Sequence, residues 1–226
     1  MNFMHGFDGP SIDERPIVLF DFDGTVANTQ PAIMRAVGAV LARHGYELGE
    51  DQLLPLIGPP LEIGIRLVTD MDEREALDVA AEYRELFSQT VTADDIPLFP
   101  GTLELLDALI AAGKRVAVAT SRIESSTLDL IAALGLTQFD VVAGRVPGVR
   151  ETKADSISAA LAALGARPCD AVMVGDRMYD VAGAMELGIP CIGVYSGAAA
   201  PGEHEEAGAV AVCADMSQVG RVLGVR

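Results

Sequence analysis

From Leu103 to the carboxyl end the chain keeps one rhythm: an amphipathic helix, a glycine, a short apolar run, then a helix again. Leu103, Leu106 and Ile110 recur at helical spacing before Gly113, and the apolar run 115–120 follows. Leu128, Ile131 and Leu134 precede Gly135 and the run 139–142. Ile157, Ala160, Leu161 and Leu164 precede Gly165 and the run 171–174. The stretch 181–187 precedes Gly188 and the run 191–194, and 210–212 marks one more strand. Runs that are apolar throughout, rather than alternating, belong to strands covered on both faces. Glycine supplies the left-handed residue that ends a helix. This rhythm predicts an α/β fold, a doubly wound parallel sheet with helices on both sides.

One apolar run, 17–20, lies far upstream of the others. It fits the same sheet only if the stretch after it is an insertion. That stretch is helical in pattern and carries no strand signal. Pro31 stands at a first helical position, and Ile33, Val37, Val40, Leu41 and His44 continue one face to Gly45. A short helix is expected over 51–56, then a break at Ile57-Gly58-Pro59-Pro60, then a helix over 61–68. Asp72 with Glu75 has the form of a capping box, and Val79, Tyr83, Leu86 and Phe87 carry the next helical face. The run Ile96-Pro97-Leu98-Phe99-Pro100-Gly101 reads as a linker. The expected division is a core of residues 16–30 and 95–226, with a small helical domain over 31–94. Residues 1–15 mix Gly, Pro, Asp and His without an apolar stretch, so a loose tail is expected there and no signal peptide.

The strand ends carry the chemistry. In open α/β sheets ligands sit at the carboxyl ends of the strands. The first run ends in Asp21 and Asp23, followed by Gly24 and Thr25. The run at 115–120 ends in Thr120-Ser121-Arg122. The run at 171–174 ends in Gly175-Asp176, with Asp180 four residues on. Burying one unpaired carboxylate costs several kcal/mol, and two side by side also repel. A strand that ends in two acids therefore calls for a cation between them and predicts a metal-assisted reaction centre.

Charge and cysteine content narrow the class. The 226-residue chain has a formal net charge of −17, which disfavours nucleic acid and anionic membrane as partners. An anionic substrate would need local positive charge from a metal, from Lys153 or from backbone dipoles. Cys169, Cys191 and Cys213 are odd in number and far apart, as in a reduced cytoplasmic protein. No run of about 18 apolar residues suggests a membrane span.

Asp21-x-Asp23-Gly24-Thr25, Thr120-Ser121 at a strand end, Lys153 before a helix and Gly175-Asp176-x-x-x-Asp180 together resemble the four ordered motifs of the haloacid dehalogenase-like hydrolases. The resemblance spans about residues 17–196 and is nearest to the phosphoglycolate phosphatase and 5′-nucleotidase-like branch. Gly58-Pro59-Pro60-Leu61, residues 119–122, residues 173–180 and Gly193-Val194 support that branch. Asn28-Thr29 and Ser196-Gly197-Ala198 depart from it.

The resemblance implies a Mg²⁺-dependent phosphatase acting on a small phosphorylated substrate through an aspartyl-phosphate. Asp21 would be the nucleophile, and Asp23 the general acid and then base. Gly24 would let the backbone turn against the phosphate, and Thr25 would hold the loop. Thr120 and the Ser121 amide, at a helix start, would bind phosphoryl oxygens together with Arg122. Lys153, rather than Lys114, would supply fixed positive charge. Asp21, the Asp23 carbonyl, Asp176 and Asp180 would form the metal set, with Asp176 two strands away from Asp21. Hard oxygen ligands of this kind suit Mg²⁺. The inserted helices would act as a cap, with Arg35, Arg66 and the 57–61 break as candidate specificity elements. The expected assembly is a monomer or homodimer. A sugar phosphomutase and a non-catalytic protein of the same fold are the competing readings.

Overall fold

The computed structural model describes residues 7–225. Six strands form one sheet: β1 (Ile17–Phe20), β2 (Arg115–Ile123), β3 (Val141–Arg145), β4 (Ala171–Gly175), β5 (Cys191–Val194) and β6 (Ala211–Cys213). Their order is β3-β2-β1-β4-β5-β6, and every pair is parallel. The order reverses at β1, the topological switch point of a doubly wound sheet. The sheet expected from the apolar runs is therefore present, with β1 at its centre although it comes first in the chain.

Both faces of the central strands are buried. Ile17, Leu19, Ala117, Ala119, Ala171 and Met173 pack with Ile157 and Leu161 of α7 (Lys153–Leu164) and Val181 and Ala184 of α8 (Met178–Glu186). The alternate residues Val18, Phe20, Val116, Val118, Val172 and Val174 are equally buried. Helices α5 (Thr102–Ala111) and α10 (Met216–Val222) pack on each other and against β2 and on β5 and β6 respectively. Helix α6 (Glu124–Ala133) joins β2 to β3, and α9 (Glu203–Ala207) joins β5 to β6.

Three sequence expectations shift. β2 runs past Thr120 and Ser121 to Ile123, because its pairing with β3 resumes at Ile123 opposite Arg145 after an irregularity. Thr120 and Ser121 thus lie on extended backbone, and α6 starts only at Glu124. β3 occupies Val141–Arg145 rather than 139–142; the Asp140 amide donates to the Val116 carbonyl of β2, and its side chain pairs with Arg115 at 3.3 Å. Part of the stretch expected as a loose tail is held to the sheet through Arg15, while residues 1–6, His5 included, lie outside the described residues. Arg15 is only 2% exposed and donates to the carbonyls of Ala171 and Asp8.

The chain divides into two compact units. One joins the residues up to Ala27 to those from Leu98, and the other is Asn28–Pro97. The second unit holds α1 (Gln30–Arg43), α2 (Glu50–Leu53), α3 (Leu61–Val68) and α4 (Glu73–Thr90). Asp72 caps α4 by accepting from the Glu75 amide at 2.9 Å, while Glu75 accepts from the Asp72 amide. Arg35 pairs with Asp95 at 2.9 Å, and Arg66 is exposed. Among the described residues no helix is long and apolar enough to cross a membrane.

Candidate active site

The carboxyl end of β1 leads straight into Asp21, whose amide donates to the Val174 carbonyl of β4 at 2.9 Å. That bond continues the β1–β4 ladder by one step and fixes where Asp21 leaves the sheet. The chain then folds tightly. The Phe22 carbonyl accepts from the amides of Val26 and Ala27, and the Gly24 amide donates back to Ala27. Gly24 has φ 81°, and a Cβ there would stand 2.2 Å from Asp176 Oδ2. Only glycine allows both the left-handed turn and this approach.

β4 adjoins β1, so Asp176 at its end lies beside Asp21 rather than two strands away. Asp21, Asp176 and Asp180 each present an oxygen within 4.8 Å of the others, and all three residues are buried. Lys153, the first residue of α7, enters the cluster from the side. Its ammonium is 2.8 Å from Asp21 Oδ1 and 2.7 Å from Asp180 Oδ1, and it donates to the Ala119 carbonyl at 3.2 Å. The two carboxylate contacts are ion pairs without hydrogen-bond alignment, so Asp21 Oδ1 and Asp180 Oδ1 receive no hydrogen bond.

Asp176 is held on both oxygens. Thr25 Oγ1 donates to Oδ1 at 3.1 Å, and the Ala198 amide donates to Oδ2 at 3.3 Å. Asp180 caps its own helix by accepting from the Arg177 amide at 3.0 Å. The charges remain unbalanced: three buried carboxylates face one ammonium. Burial, then the charges of Asp180 and Asp21, push the Asp176 carboxyl well above the usual range. Burial also lifts Asp180 to about 6, against the pull of Lys153. Burial alone would lower the Lys153 pKa, but Asp180 and Asp21 overcome it and hold the ammonium charged. An acidic, oxygen-only pocket in which three carboxylates share one ammonium fits a hard divalent cation, which would relieve the excess negative charge.

Asp23 stands apart from this trio. Its half-buried carboxylate meets Arg122 Nη1 at 3.2 Å, and Arg122 is steadied by Ser126 in the first turn of α6. Thr120 is buried and accepts from the Arg122 amide at 3.3 Å. Lys114, the rival lysine, donates to the carbonyls of Asp13 and Arg15 below the opposite end of the sheet.

The sequence marks the segment after β5 only as a departure, without assigning it contacts. Ser196 Oγ donates to the Gly24 carbonyl at 2.7 Å, and a Cβ on Gly197 would stand 1.9 Å from Asp176 Oδ2. Ser196-Gly197-Ala198 read as a departure from the resembled branch, and its small side chains were the one available signal of a close approach.

Comparison with known proteins agrees with this geometry. A family model for haloacid dehalogenase-like hydrolase matches residues 18–194. A 5′-nucleotidase of Pseudomonas aeruginosa is 32% identical over 92% of this chain and 95% of its own. A phosphoglycolate phosphatase of Rhodospirillum rubrum is 30% identical over 92% of this chain and 90% of its own. The tyrosine-protein kinase PtkA of Mycobacterium tuberculosis is 36% identical over 78% of this chain, which spans 60% of that protein. Among solved structures, a predicted phosphatase from Clostridium acetobutylicum superposes with a TM-score of 0.87 at 29% identity, over 92% of this chain and 97% of that one.

Proposed function

The chain belongs to the haloacid dehalogenase-like hydrolases, and on that premise we propose that it is a Mg²⁺-dependent phosphatase that hydrolyses a small phosphomonoester through an aspartyl-phosphate. The observation that carries this reading is the buried trio Asp21, Asp176 and Asp180 around a single lysine. Mg²⁺ held by Asp21, the Asp23 carbonyl and Asp176 would neutralise the repulsion between carboxylates and a phosphate dianion. Asp180 would hold Lys153 and reach the metal through a water.

Each remaining step belongs to a residue of this chain. A carboxylate oxygen of Asp21 attacks phosphorus, and the bond to the leaving alkoxide breaks. Asp23, protonated at that moment, gives its proton to the leaving oxygen. In the second half it takes a proton from water, whose oxygen attacks phosphorus and releases Asp21. Lys153 steadies Asp21 and the transferring group with a charge that its two carboxylate partners keep in place. Thr120, the Ser121 amide and Arg122 line the same strand end and would bind the phosphoryl oxygens.

The nucleotidase and phosphoglycolate phosphatase relatives make nucleoside monophosphates and 2-phosphoglycolate the first substrates to try. The deciding experiment is a phosphomonoester panel run with Mg²⁺, with excess chelator and with Asp21→Asn. Phosphate release that needs the metal and Asp21 is the expected result. Undiminished release in chelator, or wild-type turnover by Asp21→Asn, would overturn the mechanism. Accumulation of an isomerised sugar phosphate would instead mark a mutase.

A further inference from the structure

We infer that the segment from Tyr195 to Glu203, between β5 and α9, is a positioning element of the acid cluster, and that Glu203 is its anchor. The inference rests on the metal-dependent reading above. The middle of the segment touches the site at two points already described: Ser196 Oγ on the Gly24 carbonyl and the Ala198 amide on Asp176 Oδ2. Neither donor lies in the four motifs. Both act on groups that must be held still: the turn that carries Asp23, and the carboxylate at the end of β4.

The ends of the segment explain how it holds its shape. At one end, Tyr195 Oη donates to Glu205 Oε2 at 2.8 Å and accepts from the Gly202 amide at 2.8 Å. The Tyr195 ring meets the edge of the buried His204 imidazole at 4.8 Å between centroids. At the other end, Glu203 Oε1 accepts from both Arg177 Nε and the Met178 amide, each at 2.8 Å, and Oε2 accepts from the Ala200 amide at 3.1 Å. Glu203 and Arg177 are 12% and 14% exposed, so this is no loose surface pair.

Glu203 therefore reaches the machinery by two routes. Through Ala200 it pins the segment that donates to Asp176. Through Met178 and Arg177 it grips the first turn of α8, where Asp180 faces Lys153. Burial would raise the Glu203 carboxyl, but its donors Arg177, Met178 and Ala200 hold it below the usual range. It is thus an anion over the pH range in which such an enzyme works. A ligand set aligned by outer partners loses roughly 10- to 100-fold in metal affinity when a partner is removed.

The test is Mg²⁺ titration by calorimetry, without substrate, of the wild-type protein, Glu203→Ala, Glu203→Gln and Ser196→Ala. Glu203→Ala is expected to weaken Mg²⁺ binding by about 10-fold or more. Glu203→Gln, which keeps an acceptor oxygen, should recover most of the loss. Ser196→Ala should weaken binding with Glu203 intact, and it decides the matter if Glu203→Ala does not fold. Hydrogen exchange of the metal-free protein adds a second readout: the Ala198 amide should exchange faster in Glu203→Ala than in wild type. Wild-type affinity in both alanine variants would overturn this inference alone. A wild-type protein that takes up no divalent ion would overturn the metal reading with it.

Discussion

β1 and β4 bury charge at both of their ends, and the two ends treat it differently. At the amino ends lies Arg15, a buried guanidinium. Nη1 and Nη2 donate to the carbonyls of Ala171 and Asp8, and Nε alone lacks an acceptor. Lys114 closes the same corner on the carbonyls of Asp13 and Arg15. Burial lowers the Arg15 pKa, with Cys169 and Asp170 working against it. At the carboxyl ends, Asp21, Asp176 and Asp180 share one ammonium, and two of their oxygens receive no hydrogen bond. Burial of charge is common to both ends. The amino end answers its two cations with carbonyl acceptors, while the carboxyl end sets three carboxylates against one ammonium and leaves them to repel each other. The imbalance, more than the burial, marks the working end of the sheet.

The sharpest way to break this comparison is Asp21→Asn. Turnover should fall by roughly 10⁴-fold or more, the scale on which loss of a nucleophile acts elsewhere. Far-ultraviolet circular dichroism should be unchanged, because the substitution removes one of three like charges. A folded variant with near-normal turnover would mean that the acidic end is structural, like the basic one.

Lys153→Met comes next. It removes the only ammonium from three buried carboxylates, and breaking a buried pair costs about 3–5 kcal/mol. Urea denaturation without metal should show that loss, and Mg²⁺ should restore part of it by replacing the missing positive charge. A variant as stable as wild type would show that the carboxylates do not depend on Lys153.

The third test is pH. Without a divalent ion the folded pKa of Asp176 is raised well above its ordinary 3.8, and that of Asp180 to about 6. The folded state then holds protons that the unfolded chain has released. Both groups favour folding fully below about 3.8; the Asp180 share is lost as pH rises through about 6, and the Asp176 share as pH rises through its own raised pKa. The stability gap between Mg²⁺-bound and metal-free protein should therefore widen from pH 4 to pH 7. A constant gap across that range would mean that metal and protons do not compete for these acids.

The smallest effect is expected at the opposite end. Arg15→Met leaves the buried Ala171 carbonyl and the part-buried Asp8 carbonyl without these donors, at about 1–3 kcal/mol. The melting temperature should drop while kcat and the metal requirement stay as in wild type. Loss of metal binding in Arg15→Met would erase the contrast between the ends.

By itself the sequence determined the alternation of elements, and with it the parallel sheet. Apolar runs such as 17–20 and 171–174 can be buried only on two faces, and helices must supply the cover. It also determined which strand ends carry acids, because side-chain type and position along a strand are local facts. What it could not determine was adjacency. Asp176 lies beside Asp21 because the sheet reverses at β1, a consequence of crossover connections that no local pattern records. The extension of β2 to Ile123 depends on a partner strand, and so does the displacement of β3. The burial of Arg15 depends on a carbonyl 156 residues away. The part played by Ser196, Gly197, Ala198 and Glu203 was equally hidden. A serine, a glycine, an amide and a surface-type glutamate carry no signature of their own. They acquire a role only where folding brings them against Gly24, Asp176 and the first turn of α8, because hydrogen bonds and close contacts act over a few ångströms in space whatever the distance along the chain.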